Sequence, residues 1–249
     1  MTHAGYFEGI GGFSLGAERA GIETIYTCEF DEFRHDWLKY YLPHATHEKD
    51  ITTAKGMYAD IFTAGFPCQD ISGANPKGKG LQGERSGLFF EFMRLVRVFR
   101  PKYVVLENSP IVISKRYLLD IHREFTTCGY DAEWDVISKR AFGYPDERER
   151  FICVAYRSEI GCTPSKRVFE RKSYQKCIEA QKQNEFILNQ LSRRNSPLDW
   201  LRFTSGVLQN TARLSRELAA QEIAAYGDAI CPDVAQLIFE MIKIYNNEL

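Results

Sequence analysis

Over the first 157 residues, short apolar runs alternate with stretches whose apolar positions recur every three or four residues, the rhythm of a parallel sheet covered by helices. The runs predict strands over residues 24–28, 60–64, 102–106, 131–138 and 151–156. The amphipathic stretches predict helices over residues 13–20, 32–41, 87–99 and 116–127, with Gly21, Pro43 and Pro101 at or just beyond their ends. A first strand has only residues 1–6 to draw on, and they hold little β-branched or aliphatic material. Beyond Arg157 the strand rhythm stops and the chain turns polar and basic. A helix is expected over 178–191, with Ile178, Ile187, Leu188 and Leu191 as its apolar positions, followed by a break at Ser192–Pro197. A last helical pattern over 234–245 puts Val234, Leu237, Ile238, Met241 and Ile242 on one side, so it should pack back on the body.

Composition narrows the class. With 249 residues, 44% apolar and 26% charged, the chain can bury a core and matches neither a disordered nor a membrane protein. No apolar run approaches the roughly 18 residues of a spanning helix. The opening Met1-Thr2-His3-Ala4-Gly5 lacks the layout of an export signal, so the cytoplasm is the expected location. Seven cysteines, an odd number without a C-x-x-C pair, argue against a disulfide framework and against a zinc site.

The net charge of −1 hides an asymmetry. Residues 157–216 hold twelve Lys and Arg against five acids, a surplus of seven. One basic surface on an acidic body suits a polyanion partner, although a solvated helical face gives the same count.

Four segments carry candidate chemistry. Phe7-Glu8-Gly9-Ile10-Gly11-Gly12 precedes a helical stretch, where glycines admit a ligand to backbone N–H groups and the helix end favours an anion. A plain turn reads the same, but Glu29 ends the next strand, where a carboxylate can accept both hydroxyls of a ribose. Gly65-Phe66-Pro67-Cys68-Gln69 puts a thiol at the carboxyl edge of a strand, ahead of a glycine-rich, lysine-bearing run over 72–83 that reads as a lid. Glu107 ends an apolar strand on the same edge, either as a partly desolvated acid or as a cap for the next segment. Asp146-Glu147-Arg148-Glu149-Arg150 alternates acid and arginine, as surface ion pairs do and as an inward guanidinium would.

Taken in order, F-x-G-x-G-G, P-C-Q, E-N, R-x-R and Gly227-Asp228-Ala229-Ile230-Cys231-Pro232 resemble the cytosine-5 DNA methyltransferases over residues 5–157 and about 226–240. The compact length is similar to phage-type or mobile-element members, some of which serve restriction-modification. The resemblance implies an α/β, doubly wound Rossmann-like sheet dependent on S-adenosyl-L-methionine, with a small, mostly helical recognition region. Residues 1–157 would be the catalytic and cofactor domain, 158–225 the basic recognition region and 226–249 a segment returning to the catalytic domain.

By resemblance, Cys68 attacks carbon 6 of a flipped cytosine in duplex DNA, Glu107 contacts ring nitrogen 3 and the amine, and Arg150 with Arg148 holds the base carbonyl. The cofactor would meet Phe7, Gly9, Ile10 and Gly11 at the turn and Glu29 at the ribose. Asp50 would take the adenine amine and Phe30 and Ile51 the ring faces, while Pro67, Leu88, Asp228 and Ala229 line the cleft. No metal or membrane is implied. The chain departs from the family at Ser109, Asp146 and Asp228, where Val, Gln and Asn are usual. Two other readings stay open: the same chemistry on RNA or a free cytosine nucleotide, and a catalytically silent nucleic-acid-binding or subunit protein.

Overall fold

The computed structural model describes residues 1–66, 87–114, 117–142, 148–160, 168–169 and 229–248. The helix expected over 178–191, the lid over 72–83 and most of the basic segment lie outside these residues.

Seven strands form one sheet in the order β3-β2-β1-β4-β5-β7-β6. They are β1 (Thr2–Tyr6), β2 (Glu23–Cys28), β3 (Thr46–Glu48), β4 (Ile61–Ala64), β5 (Tyr103–Asn108), β6 (Tyr130–Ser138) and β7 (Glu149–Arg157). Among the described residues the α-helices are α1 (Gly12–Arg19), α2 (Glu32–Tyr41), α3 (Leu88–Phe99), α4 (Ile111–Ser114), α5 (Tyr117–Thr127) and α6 (Pro232–Glu248). Strand order reverses between β1 and β4, and in doubly wound sheets ligands bind at the carboxyl ends beside that reversal. Among the described residues no helix is long and apolar enough to cross a membrane.

The expectation of a wholly parallel sheet fails at one strand. β7 runs antiparallel to both β5 and β6. Only about ten residues join β6 to β7, enough to reverse direction but not for the crossover that a parallel neighbour needs.

β1 is the other departure from local propensity. It pairs in parallel with β2 on one side and β4 on the other, and its residues from Ala4 to Tyr6 are buried. Ala4 and Tyr6 face the core beneath α3 and α5, with Phe62, Phe92 and Phe125. His3 faces the opposite layer and is fully buried. Burial pushes its imidazole down to about 3, so the ring is neutral, and its two nitrogens meet the hydroxyls of Thr24 and Thr63 at 2.9 and 2.8 Å. Tertiary pairing thus overrides a poor strand composition.

Local signals account for α2. Asp31 caps it by accepting the Arg34 amide at 3.0 Å, with Glu32 in the first turn. α6 begins at Pro232, a favoured first helical position, and covers the second core layer with Val234, Leu237, Ile238, Met241 and Ile242. It seats on α1 at two glycines. A Cβ on Gly16 would come 2.5 Å from that of Ala235, and one on Gly12 would overlap the Ile230 carbonyl. Arg19 pairs with Asp233 at 2.9 Å, and Lys243 donates to the Ala20 carbonyl at 2.7 Å.

Candidate active site

Strand register assembles the site. Tyr6 pairs with Cys28 and with Ala64, and Ala64 pairs with Leu106. One residue further on, Glu29, Phe7, Gly65 and Glu107 therefore stand in a row across four adjacent strands. At about 4.8 Å per strand the backbones of the two acids at its ends are about 14 Å apart along the sheet edge. That span fits a nucleoside-sized group beside a single base ring.

The middle of the row is narrow. A Cβ on Gly65 would lie 3.1 Å from Oε2 of Glu107 and 3.9 Å from the carbonyl oxygen of Phe7. Any side chain at Gly65 would crowd the gap between the glycine turn and the acid.

The glycine turn is shaped by backbone that other residues resist. Phe7, Gly9 and Gly11 all have positive φ, at 54°, 62° and 90°. A Cβ on Gly9 would meet nothing within 4 Å, so the turn is open on that side. Glu29 is buried, and its carboxylate accepts the Gly9 amide at 2.8 Å and the Asp31 amide at 3.0 Å. Burial raises its pKa while those two amides pull it back. Next to it, Phe30 is 71% exposed, an aromatic face on offer beside the carboxylate. Ile10 lends its carbonyl to the indole of Trp37 at 3.1 Å.

One first-turn amide of α1 is already engaged, because Oε1 of Glu8 accepts both the amide and the hydroxyl of Ser14, at 2.8 and 2.6 Å.

Asp50 and Ile51 sit on a segment clamped from two sides. Glu48 accepts the amides of Lys55 and Gly56 at 3.1 and 2.9 Å, and Arg94 of α3 donates to the carbonyls of Ile51 and Ala54 at 2.9 and 3.4 Å. Asp50 is turned toward Thr52, accepting its amide and hydroxyl, and Ile51 is buried in the core. Leu88 opens α3 against the same core, and Ala229 stands just ahead of α6.

At the other end, Oε1 of Glu107 is 2.6 Å from Nε of Arg150. Glu107 lies opposite Ile152 on β7, and Arg150 stands on the same face two residues away. Burial raises the Glu107 pKa, and the charges of Arg150 and Arg148 act against that rise. Glu107 is engaged by Arg150, and beside it Oδ1 of Asn108 accepts the Ser109 amide at 2.8 Å. The Asn108 side chain also donates to the Phe66 carbonyl at 3.3 Å, tying the end of β5 to the residue before Pro67. In the sequence Asn108 stands only as part of a motif, and its burial and tether are what single it out. Pro67, Cys68, Asp146 and Asp228 lie outside the described residues. Among the described residues no cluster of His, Cys, Asp and Glu could hold a metal ion.

This arrangement of glycine turn, carboxylates and arginines is accompanied by sequence kinship. The chain belongs to the C-5 cytosine-specific DNA methylase family, whose sequence model matches residues 1–226. It is 33% identical over 163 residues to the type II methyltransferase M.NgoFVII of Neisseria gonorrhoeae, covering 62% of this chain and 43% of that protein. Against M.HhaI of Haemophilus parahaemolyticus the identity is 31% over 160 residues, covering 62% and 48%. The chain thus spans less than half the length of these relatives. In fold it is similar to a mutant DNMT2 of Spodoptera frugiperda, at TM-score 0.66 and 15% identity over 98% of this chain and 99% of that one. A protein encoded within an E. coli prophage is similar at TM-score 0.63 and 17% identity, over 99% of each chain.

Proposed function

We propose that the chain transfers the methyl group of S-adenosyl-L-methionine to carbon 5 of a cytosine turned out of duplex DNA. One observation carries the reading: a Cβ on Gly65 would touch both the carbonyl oxygen of Phe7 and Oε2 of Glu107, so the glycine turn and the carboxylate stand on either side of that glycine. A donor seated at the first and a base gripped by the second would meet there.

The residues fit the donor. Glu29 stands where ribose hydroxyls need an acceptor, the exposed ring of Phe30 offers a face to adenine, and the open side of Gly9 leaves room for the amino-acid portion. Asp50, Ile51, Leu88, Ala229, Pro67 and Asp228 would complete the cleft. When bound, S-adenosyl-L-methionine supplies an electrophilic methyl group on a sulfonium and becomes S-adenosyl-L-homocysteine.

Carbon 5 of cytosine is a weak nucleophile, so the ring first needs electrons. The Cys68 thiolate would add to carbon 6. Glu107, with its carboxyl raised by burial, would hold a proton toward ring nitrogen 3 and so absorb the charge the addition creates. Arg150 would hold both Glu107 and the base carbonyl, with Arg148 adding positive potential. After transfer, loss of the carbon 5 proton would expel Cys68. Residues 158–225, with most of the basic surplus, would track DNA phosphates. On this reading the protein works on DNA in the cytoplasm, and the chemistry calls for no metal.

The test supplies labelled donor with duplex DNA, RNA and cytidine nucleotides in parallel. Label in duplex DNA, and a covalent adduct with a 5-fluorocytosine duplex that Cys68→Ser abolishes, is the expected result. Label only in RNA or nucleotides would reassign the acceptor, and none in any would leave a binding protein.

A further inference from the structure

Glu8 has a place in the turn that methyl transfer by Cys68, Glu107 and Arg150 does not use. Its side chain folds back under the glycine turn and is buried, with 4% of its surface exposed. Oε1 is taken by Ser14, while Oε2 is buried with no hydrogen-bond partner among the described residues. Oε2 occupies the space over Gly5 in which a Cβ would stand, so residue 5 is glycine to admit this carboxylate.

Among the described residues, the groups facing it supply no positive charge. Beneath it, Gly5 is flanked in register by Thr27 and Thr63. Thr63 is engaged by the neutral His3, and Thr27 by His47, whose pKa burial lowers. From α1 it meets Ser14, and the charge acting on it is that of Glu29, which is of like sign. A buried carboxylate without a cation is costly, and burial here raises the Glu8 pKa to about 7.

We propose that Glu8 is a positioning residue whose charge selects a cationic donor: held under the turn by Ser14, its carboxylate favours S-adenosyl-L-methionine over the product. The two ligands differ in this respect at the sulfur, a sulfonium in the donor and a neutral thioether in S-adenosyl-L-homocysteine. The turn that would seat the amino-acid end is built from the neighbours of Glu8, so the sulfonium charge would fall on the same turn as the buried carboxylate. Release of product is favoured by the same preference. This inference rests on the donor assignment under Proposed function.

The experiment is calorimetric titration of the full chain with each ligand at about pH 6 and about pH 8. Wild-type affinity for S-adenosyl-L-methionine should rise about tenfold with pH, because bound donor favours ionised Glu8, whereas affinity for S-adenosyl-L-homocysteine should change less than about twofold. Glu8→Gln should remove the pH dependence and, at about pH 8, weaken donor binding about tenfold with product binding nearly unchanged. Equal weakening of both ligands would make Glu8 structural and overturn the proposal, as would no weakening of either. Should Glu8→Gln not fold, the wild-type profile decides: donor binding that is flat with pH and releases no proton in two buffers overturns the proposal. If wild type binds neither ligand, the donor assignment itself fails and this inference with it, an outcome distinct from binding without charge selectivity.

Discussion

The guanidinium of Arg150 and the carboxylate of Glu107 meet across neighbouring antiparallel strands, Nε to Oε1 at 2.6 Å, with both side chains largely withdrawn from water. Neither group is well placed alone, since each would be left partly buried without its nearest counter-charge. Glu107→Gln and Arg150→Ala should each lower kcat by about 100-fold or more. If they act as a unit, the double variant should lose no more than about tenfold beyond the worse single one, measured in single-turnover methyl transfer.

Asn108 offers a cleaner separation of positioning from chemistry. Among the described residues its side chain bonds the Phe66 carbonyl and the Ser109 amide and no titratable group, so its loss should loosen the approach to Pro67 and Cys68. Asn108→Ala should slow covalent trapping on a 5-fluorocytosine duplex by about 10- to 100-fold while leaving donor affinity within about twofold. Unchanged trapping would remove the tether from the mechanism.

Glu8 also sets a stability profile in the absence of ligand. Its folded-state pKa of about 7 is above the ordinary 4.5, so the folded protein retains a proton that the unfolded chain releases. The stability this contributes is full below pH 4.5, declines as pH rises and is gone above about 7. Glu8→Gln should therefore unfold near wild type at about pH 4.5 but be more stable by roughly 3 kcal/mol at about pH 8. Thermal unfolding of both proteins across this range checks the sign.

The α1 and α6 contact is tight enough to test by size alone. Gly16→Ala would bring a Cβ to 2.5 Å from that of Ala235 and 2.7 Å from the Gln236 amide nitrogen. A loss of about 1–3 kcal/mol is expected, and Ala235→Gly in the same chain should recover part of it. Denaturant unfolding of the single and double variants gives both numbers.

Much of this architecture is legible in periodicity. α2 can be placed at both ends because Asp31 and Glu32 announce its start and Leu38 its buried face. β1 is hard to read because its composition is poor, and what holds it is pairing on both edges and two distant threonines on His3. β3 gives no signal, since three residues are too few to carry a pattern. The antiparallel β7 comes from a short connection, which strand propensities do not weigh. At the site, Glu29, Glu107 and Arg150 are legible as chemistry at strand ends, but their alignment depends on register across strands far apart in sequence. Glu8 is in plain view within a glycine motif. Only its fold-back onto Ser14 and Gly5 marks it as more than a spacer.

The ring of Phe239 packs edge-on against His3 at 5.2 Å between centroids, so the last helix roofs the first strand. A ribosome delivers those two side chains more than two hundred residues apart. Throughout most of synthesis His3 and the α1 side of the sheet therefore wait for the cover that α6 supplies, and the apolar layer there stays incomplete while the rest of the chain is made.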